Sequence, residues 1–119
     1  MTATGTSLAR LDGSAKVRGT ARYAYEHTVD NPAYLIGITS TIARGRVNHL
    51  DVTAAAAVDG VLLVLTHENA PRLADTSDGD LTVLQSAEVS YRGQPIGAVI
   101  AETPEIARHA ASLLSLIHI

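Results

Sequence analysis

The stretch from Tyr91 to Leu114 constrains the fold more than any other part of this sequence of 119 residues. It opens with a turn signal, Arg-Gly-Gln-Pro, and continues as an apolar run from Ile96 to Ala101 that is rich in β-branched residues. A short run of this kind predicts a strand that is covered on both faces. Thr103 then offers a hydroxyl as a helix N-cap, and Pro104 falls at the first helical position, where its missing N–H is not needed.

The helix predicted after this cap is amphipathic. Its apolar residues recur at helical spacing on one face, namely Ile106, Ala110, Leu113 and Leu114. Glu105 lies near the positive end of the helix dipole and Arg108 lies further towards the negative end, as the dipole favours. The unit of turn, strand, cap and helix is structural, and no residue in it is an obvious catalyst.

The rest of the chain predicts one α+β domain with a mixed sheet, this C-terminal amphipathic helix and one short helix. Hydrophobic residues make up 46% of the sequence and aromatic residues only 3%, so the core is expected to be aliphatic. Strands are predicted over residues 20–25, 34–42, 47–52, 61–66, 81–84 and 88–91, a helical turn over 53–58 capped by Thr53 and ended by Gly60, and a mobile loop over 74–79. Residues 1–19 are expected to form an extended N-terminal segment, and residues 20–119 the domain itself.

Composition excludes several classes of function. The chain has no Cys, so it holds no disulfide, thiolate nucleophile or iron–sulfur ligand. Its net charge is −3 and no Lys/Arg run occurs, which argues against a nucleic-acid partner. No apolar run approaches the roughly 20 residues that span a bilayer, and the first residues are not typical of a signal peptide. We therefore expect a cytoplasmic protein, with periplasmic export alongside a partner subunit as the alternative.

No constellation of residues predicts a self-contained active site. The five histidines, 27, 49, 67, 109 and 118, show no metal-ligand spacing, and no Ser lies in a Gly-x-Ser-x-Gly motif. The alternating Asp75, Asp78 and Asp80 hint at a calcium loop, but Ser86 stands where such a loop requires Glu. Arg44 and Arg46 flank Gly45 on a predicted turn, which is either a solvated turn or a contact with a partner's carboxylate.

Three blocks of sequence resemble one known family, in the family's own order. Residues 10–23, Arg-Leu-Asp-Gly-Ser-Ala-Lys-Val-Arg-Gly-Thr-Ala-Arg-Tyr, resemble the opening of the large subunit of molybdenum hydroxylases, the xanthine dehydrogenase and aldehyde oxidase family. Residues 54–66 resemble its A-x-x-x-P-G-V-x-x-V-x-T segment, with Asp59 where Pro is usual, and residues 91–103 resemble its Y-x-G-Q-P-V-A-x-V-V-A-E-T segment. Asn31-Pro-Ala-Tyr and Thr41-Ile-Ala-Arg-Gly-Arg resemble the bacterial aldehyde dehydrogenase branch.

The resemblance implies the α/β hammerhead domain at the front of that large subunit. Members of the family hydroxylate aldehydes or aromatic heterocycles with oxygen from water. A molybdopterin cofactor carries this chemistry, and electrons leave through iron–sulfur clusters to FAD, which in this branch lie in separate subunits. The family's catalytic and cofactor-binding segments lie far downstream, so no catalytic, cofactor or metal residue is assigned in this chain, and the chain alone is expected to be inactive.

The implied partners are the remainder of the large subunit and the FAD-binding and iron–sulfur subunits. We expect the exposed segment around Arg10, Lys16 and Arg18 to contact those subunits. After the last helix the family continues as a strand of the type V-x-V-x-Y-E, whereas this sequence has Ser-Leu-Ile-His-Ile. A domain truncated at its C-terminal end is therefore expected, and a freestanding, non-enzymatic binding module with the same fold is the alternative.

Overall fold

The structure is a computed structural model that describes residue 5 and residues 7–118. Two compact units make up the chain, Met1–Asp30 and Asn31–Ile119. The first unit contains helix α1 (Gly13–Val17) and a 3₁₀ turn (Ala24–Glu26). The segment expected to be extended over residues 1–19 thus contains a helix, and within the described part of residues 20–25 the predicted strand is absent.

Local hydrogen bonds explain both differences in the first unit. Thr20 and Ala21 donate their backbone N–H groups to the carbonyl of Ala15 (2.8 and 3.1 Å), and Gly19 adopts a φ of 70°, so the chain folds back at the end of α1. The Glu26 carboxylate accepts a hydrogen bond from the N–H of Tyr23 (2.8 Å), which closes the 3₁₀ turn. A segment whose polar groups bond locally in this way has no need of a neighbouring strand.

Within its described residues, the second unit contains seven strands and two helices. In chain order these are β1 (Tyr34–Thr39), β2 (Gly45–Arg46), β3 (His49–Asp51), α2 (Thr53–Ala56), β4 (Val61–Thr66), β5 (Glu88–Val89), β6 (Pro95–Ala101), α3 (Pro104–Leu113) and β7 (Ser115–His118), with a 3₁₀ turn at Gly79–Leu81. Three sheets result, one in the order β1-β6-β4 and two pairs, β2-β5 and β3-β7. Every strand pairing in the described residues is antiparallel. The prediction of a mixed sheet, with parallel and antiparallel pairs, is therefore wrong.

The predicted strands over 61–66 and 96–101 are confirmed, and those over 34–42, 47–52 and 88–91 are shorter than predicted. The strand expected over 34–42 ends at Thr39, where a register shift interrupts its pairing with β6. The strand expected over 47–52 is confined to His49–Asp51, and within the described residues 81–84 form no strand. These runs are short because a strand persists only where a partner strand is in register with it.

The helical turn over 53–58 is present as α2, but its cap lies earlier than predicted. Val52 is the N-cap residue and Thr53 is the first helical residue. The Asp51 carboxylate accepts a hydrogen bond from the backbone N–H of Thr53 (2.9 Å), and this bond lowers the pKa of Asp51. Gly60 follows with a φ of 85°, a conformation that favours glycine.

Strand β6 is the centre of the larger core. Val99 is fully buried, and it packs with Ala55, Val64, Ala110 and Leu114 in one aliphatic cluster. A second cluster joins Ile96 to Val47, Ala87 and Val89. The fully buried Ala107 and Ala110 are the smallest residues of α3 that face inward, which lets the helix approach the sheet closely. The aliphatic core predicted from the composition is confirmed.

The start of α3 has the predicted geometry. The Thr103 hydroxyl accepts a hydrogen bond from the backbone N–H of Ile106 (3.2 Å), and Pro104 is the first helical residue. Leu113, expected on the buried face, is instead exposed at the last residue of the helix. The helix therefore packs against the sheet through its first two turns and Leu114.

Candidate functional site

The three cations predicted to form a subunit interface lie in and around α1. Arg10 Nε lies 2.6 Å from Asp12 Oδ1, and Lys16 Nζ lies 2.8 Å from Asp12 Oδ2. The structure thus joins two of the three cations through one carboxylate. Arg18 is the C-cap residue of α1, and no ion pair found in the described residues includes it.

The carboxylate of Asp12 is the centre of this cluster. The hydrogen bond from Arg10, and then the one from Lys16, lower the pKa of Asp12 below its ordinary value. Sequence analysis missed this role because it took Asp12 only as a turn residue. The available signal was the spacing of Asp12 and Lys16, four residues apart, which places opposite charges on one face of a helix.

Large apolar side chains are exposed next to these charges. Helix α1 has no buried residue, and Leu8, Leu11 and Val17 are all largely exposed. Exposed single residues of this kind need no explanation, but several within one short segment are typical of a surface that contacts another protein. The first unit therefore exposes both apolar and cationic groups.

Arg46 does not lie on the turn that the sequence predicted. Gly45 and Arg46 form strand β2, which pairs with β5 so that Arg46 lies opposite Glu88. The guanidinium of Arg46 donates a hydrogen bond to the Glu88 carboxylate at 2.9 Å. The carboxylate that Arg46 contacts therefore belongs to this chain, and the predicted contact with a partner has no support from this pair.

The Gly-Gln-Pro segment joins the sheets through the side chain of Gln94. Its Oε1 accepts a hydrogen bond from the N–H of Ser90 (2.6 Å), and its Nε2 donates to the carbonyl of Glu88 (2.8 Å). Gly93 has a φ of 90° and donates its N–H to the carbonyl of Ser40 (2.9 Å). The predicted tight turn before β6 is confirmed, and its function in this chain is structural.

A cavity of about 330 Å³ lies beside this turn. Its lining includes the carboxylates of Asp80 and Glu88, the amide of Gln94 and the phenol of Tyr91. A second cavity, of about 500 Å³, is lined by six residues at the starts of β1 and β4 and the end of β6, namely Asn31, Pro32, Ala33, Tyr34, Leu62 and Glu102. Neither lining contains a cation, which distinguishes both from sites that hold phosphate groups.

The acidic loop and the histidines do not assemble into a metal site within the described part of the chain. The carboxylates of Asp75 and Asp78 accept hydrogen bonds from the N–H groups of Ser77 (2.9 Å) and Asp80 (3.0 Å) and so form local turns. The hydrogen bond from Ser77 lowers the pKa of Asp75. No helix in the described residues has the length and apolar character that would let it cross a lipid bilayer.

Comparison with known proteins gives a consistent result. The chain is 43% identical to the aldehyde oxidoreductase molybdenum-binding subunit PaoC of Escherichia coli (strain K12) over 88% of its own length and 15% of that protein. It is 34% identical to aldehyde oxidase 1 of Bos taurus, over 96% of the chain and 9% of that enzyme. The chain therefore spans less than a fifth of the length of these relatives.

A solved structure supports the fold. The aldehyde oxidoreductase from Desulfovibrio desulfuricans ATCC 27774 superposes with a TM-score of 0.74 at 23% sequence identity, over 93% of this chain and 14% of that one. Residues 18–118 match the family described as "Aldehyde oxidase and xanthine dehydrogenase, a/b hammerhead domain". The chain therefore belongs to the a/b hammerhead domain family of aldehyde oxidases and xanthine dehydrogenases.

Proposed function

We propose that this chain is a structural domain at the front of the large, molybdenum-binding subunit of a molybdenum hydroxylase. The complete enzyme would hydroxylate an aldehyde or an aromatic heterocycle with oxygen from water and pass the electrons to iron–sulfur and FAD subunits. The observation that carries the proposal is the 43% identity to PaoC, a molybdenum-binding subunit, across 88% of this chain. Within that enzyme the domain would position its neighbours and take no part in the chemistry.

The two cavities described above do not suit the molybdenum cofactor. Molybdopterin carries phosphate, and a phosphate group is held by cations or by backbone N–H groups at a helix N-terminus. The cavity beside the Gly-Gln-Pro turn carries the carboxylates of Asp80 and Glu88, which repel an anion. We therefore place the cofactor on other parts of the large subunit and derive no reaction step from the residues of this domain.

We propose further that the first unit contacts the electron-transfer subunits through Arg10, Lys16 and Arg18. Asp12 already pairs with Arg10 and Lys16, so these two cations have less charge to offer a partner. Arg18 is exposed and is the cation of the three best able to meet a carboxylate on another subunit. The exposed Leu11 and Val17 would supply apolar contact beside it.

Charge reversal in the complete large subunit tests this interface. We expect Arg18→Glu to weaken association with the smaller subunits by about tenfold, because it places a negative charge where a positive one is needed. Arg108→Glu on the exposed side of α3 is the matched control and should leave the association unchanged. Equal affinities for the two variants and the unmodified subunit would refute the interface.

Aldehyde oxidation tests the proposed enzyme. The complete complex, supplied with an aromatic aldehyde and an artificial electron acceptor, should form the carboxylic acid with one oxygen from labelled water. The chain of 119 residues by itself should form none. A confirmed absence of any longer polypeptide containing this sequence in its own cells would instead favour a freestanding binding module.

A further inference from the structure

The outer face of the three-stranded sheet is apolar, and leucines on its two edge strands are exposed, whereas on the central strand Ala98 is buried and Ile100 is half-buried. In the antiparallel register, Ile100 of β6 lies opposite Leu35 of β1 and Leu63 of β4. In the next row of the same face, Ala98 lies opposite Gly37 and Leu65. Directly opposed residues in a sheet project to the same side, so these two rows form one surface, which we call the outer face.

The outer face is separate from the core of the domain. Val99, which lies between Ala98 and Ile100 and projects to the opposite side, packs with Val64 and with Ala110 of helix α3. The leucines of the outer face remain accessible, Leu35 being 58% exposed and Leu63 46% exposed. No helix or strand of the described second unit therefore covers these two side chains.

Charge is absent from the two described rows of the outer face. All six residues in these rows are aliphatic or glycine, namely Leu35, Gly37, Leu63, Leu65, Ala98 and Ile100. A solvated face of an antiparallel sheet normally alternates polar residues outward. Exposed leucines on an otherwise apolar sheet face mark a place where another protein surface packs.

The size of the outer face decides between two occupants. Three strands spaced about 4.8 Å apart, over two rows that each take up about 6.8 Å of strand, give a face of roughly 200 Å². Two copies packed face to face would then bury about 400 Å² in total, well below the roughly 1,200 Å² of a stable dimer. A covalently connected domain needs less area, because linkage gives it a high effective concentration.

We infer that the outer face is an interdomain surface, covered in the complete large subunit by an uncharged aliphatic surface of the remaining polypeptide. The inference rests on the proposed function. It draws on the fact that the chain spans 15% of PaoC, so that most of a subunit of this kind lies outside the present domain. Docking there would bury Leu35 and Leu63 and would stabilise the two edge strands, β1 and β4.

Cysteine labelling tests the inference directly, because the chain contains no cysteine of its own. Leu35→Cys and Leu63→Cys each place one thiol on the outer face, and Leu81→Cys places a control thiol at a position that is 68% exposed on a different surface. In the complete large subunit we expect maleimide to modify the two outer-face thiols at least about tenfold more slowly than the control thiol. In the chain of 119 residues alone all three should react rapidly.

Three outcomes would overturn the inference. Labelling of the two outer-face thiols in the complete subunit as fast as in the isolated chain would show that the outer face is open there. Protection that disappears on dilution of the subunit would identify a second copy as the occupant. Protection already present in the isolated chain would show that the face is covered within the chain itself. The first outcome would leave the proposed function intact, because aldehyde oxidation by the same complex is measured separately.

Discussion

At the scale of single residues, Gln94 has the largest structural role in the Gly-Gln-Pro segment. Both ends of its side-chain amide bond to backbone groups of the chain around β5, at Ser90 and Glu88. A side chain that accepts and donates in this way cannot be replaced by a group with only one of the two functions. The hydrogen bonds fix the position of β5 relative to the start of β6.

We expect Gln94→Ala to lower the free energy of unfolding by about 2 kcal/mol, because two hydrogen bonds to the backbone are lost. Urea denaturation of the chain measures this change. Asn48→Ala, at an exposed amide elsewhere, is the matched control and should change the stability by less than about 0.5 kcal/mol. Similar midpoints for both variants would contradict the role assigned to Gln94.

The pKa of Asp12 gives a second test at this scale. The pKa is lowered first by Arg10 and second by Lys16, from an ordinary value of 3.8. Because the pKa of Asp12 is lower in the folded state, its carboxylate contributes fully to stability when the pH lies above the ordinary pKa of 3.8. That contribution is lost as the pH falls through the folded-state pKa, where the carboxylate becomes protonated.

An NMR titration of the Asp12 carboxyl group measures this effect. We expect Arg10→Gln to raise the pKa of Asp12 more than Lys16→Gln does, because the hydrogen bond from Arg10 is the larger cause. The pKa of Asp75, which is lowered by Ser77 in a separate turn, should stay unchanged in both variants. A larger effect of Lys16→Gln would contradict the geometry of the cluster.

These residue roles were only partly predictable from the sequence. The turn at Gly93 could be predicted because glycine next to proline is a local signal. The partner of Arg46 could not, because Glu88 comes beside it through the pairing of β2 with β5. No local pattern encodes that pairing.

At the scale of elements, the stability of helix α3 depends on its N-cap residue, Thr103. The Thr103 hydroxyl accepts a hydrogen bond from the N–H of Ile106, one of the N–H groups that the helix itself leaves without a partner at this end. Thr103→Ala should therefore destabilise the chain by about 1 kcal/mol, measured as a shift in the thermal unfolding midpoint.

Thr103→Ser is the matched variant for this cap. It keeps the hydroxyl, so it should retain most of the stability lost in Thr103→Ala. If Thr103→Ala and Thr103→Ser unfold at the same temperature, the hydroxyl of Thr103 does not stabilise the helix.

The same helix shows which elements a sequence can predict. Strand β6 and helix α3 were predicted almost to the residue, because the apolar run, the cap and Pro104 are all local signals. The two-residue strand β2 was predicted as a turn and β5 as a longer strand over 88–91, because each exists only as the partner of the other. The expectation of a mixed sheet was wrong. The continuous apolar run of β6 is typical of a parallel strand, but here it reflects the position of β6 at the centre of an antiparallel sheet with a helix packed on one side.

At the scale of the whole molecule, two surfaces remain available for contact with other proteins. The first unit exposes Arg18 with apolar residues beside it, and the second unit exposes the outer face of its larger sheet. A domain with two such surfaces is suited to a place within a larger enzyme. The family membership was predictable from three ordered sequence blocks, whereas the outer face required the register of the strands.

The most direct test of the central claim is the molybdenum content of the native polypeptide that carries this sequence. The polypeptide would be purified with its associated subunits from its own cells, grown with molybdate, and its metals measured by mass spectrometry. The account predicts about one molybdenum atom per copy of this domain, since a single molybdenum cofactor would supply the chemistry. A folded, purified polypeptide with molybdenum at background level would contradict the account.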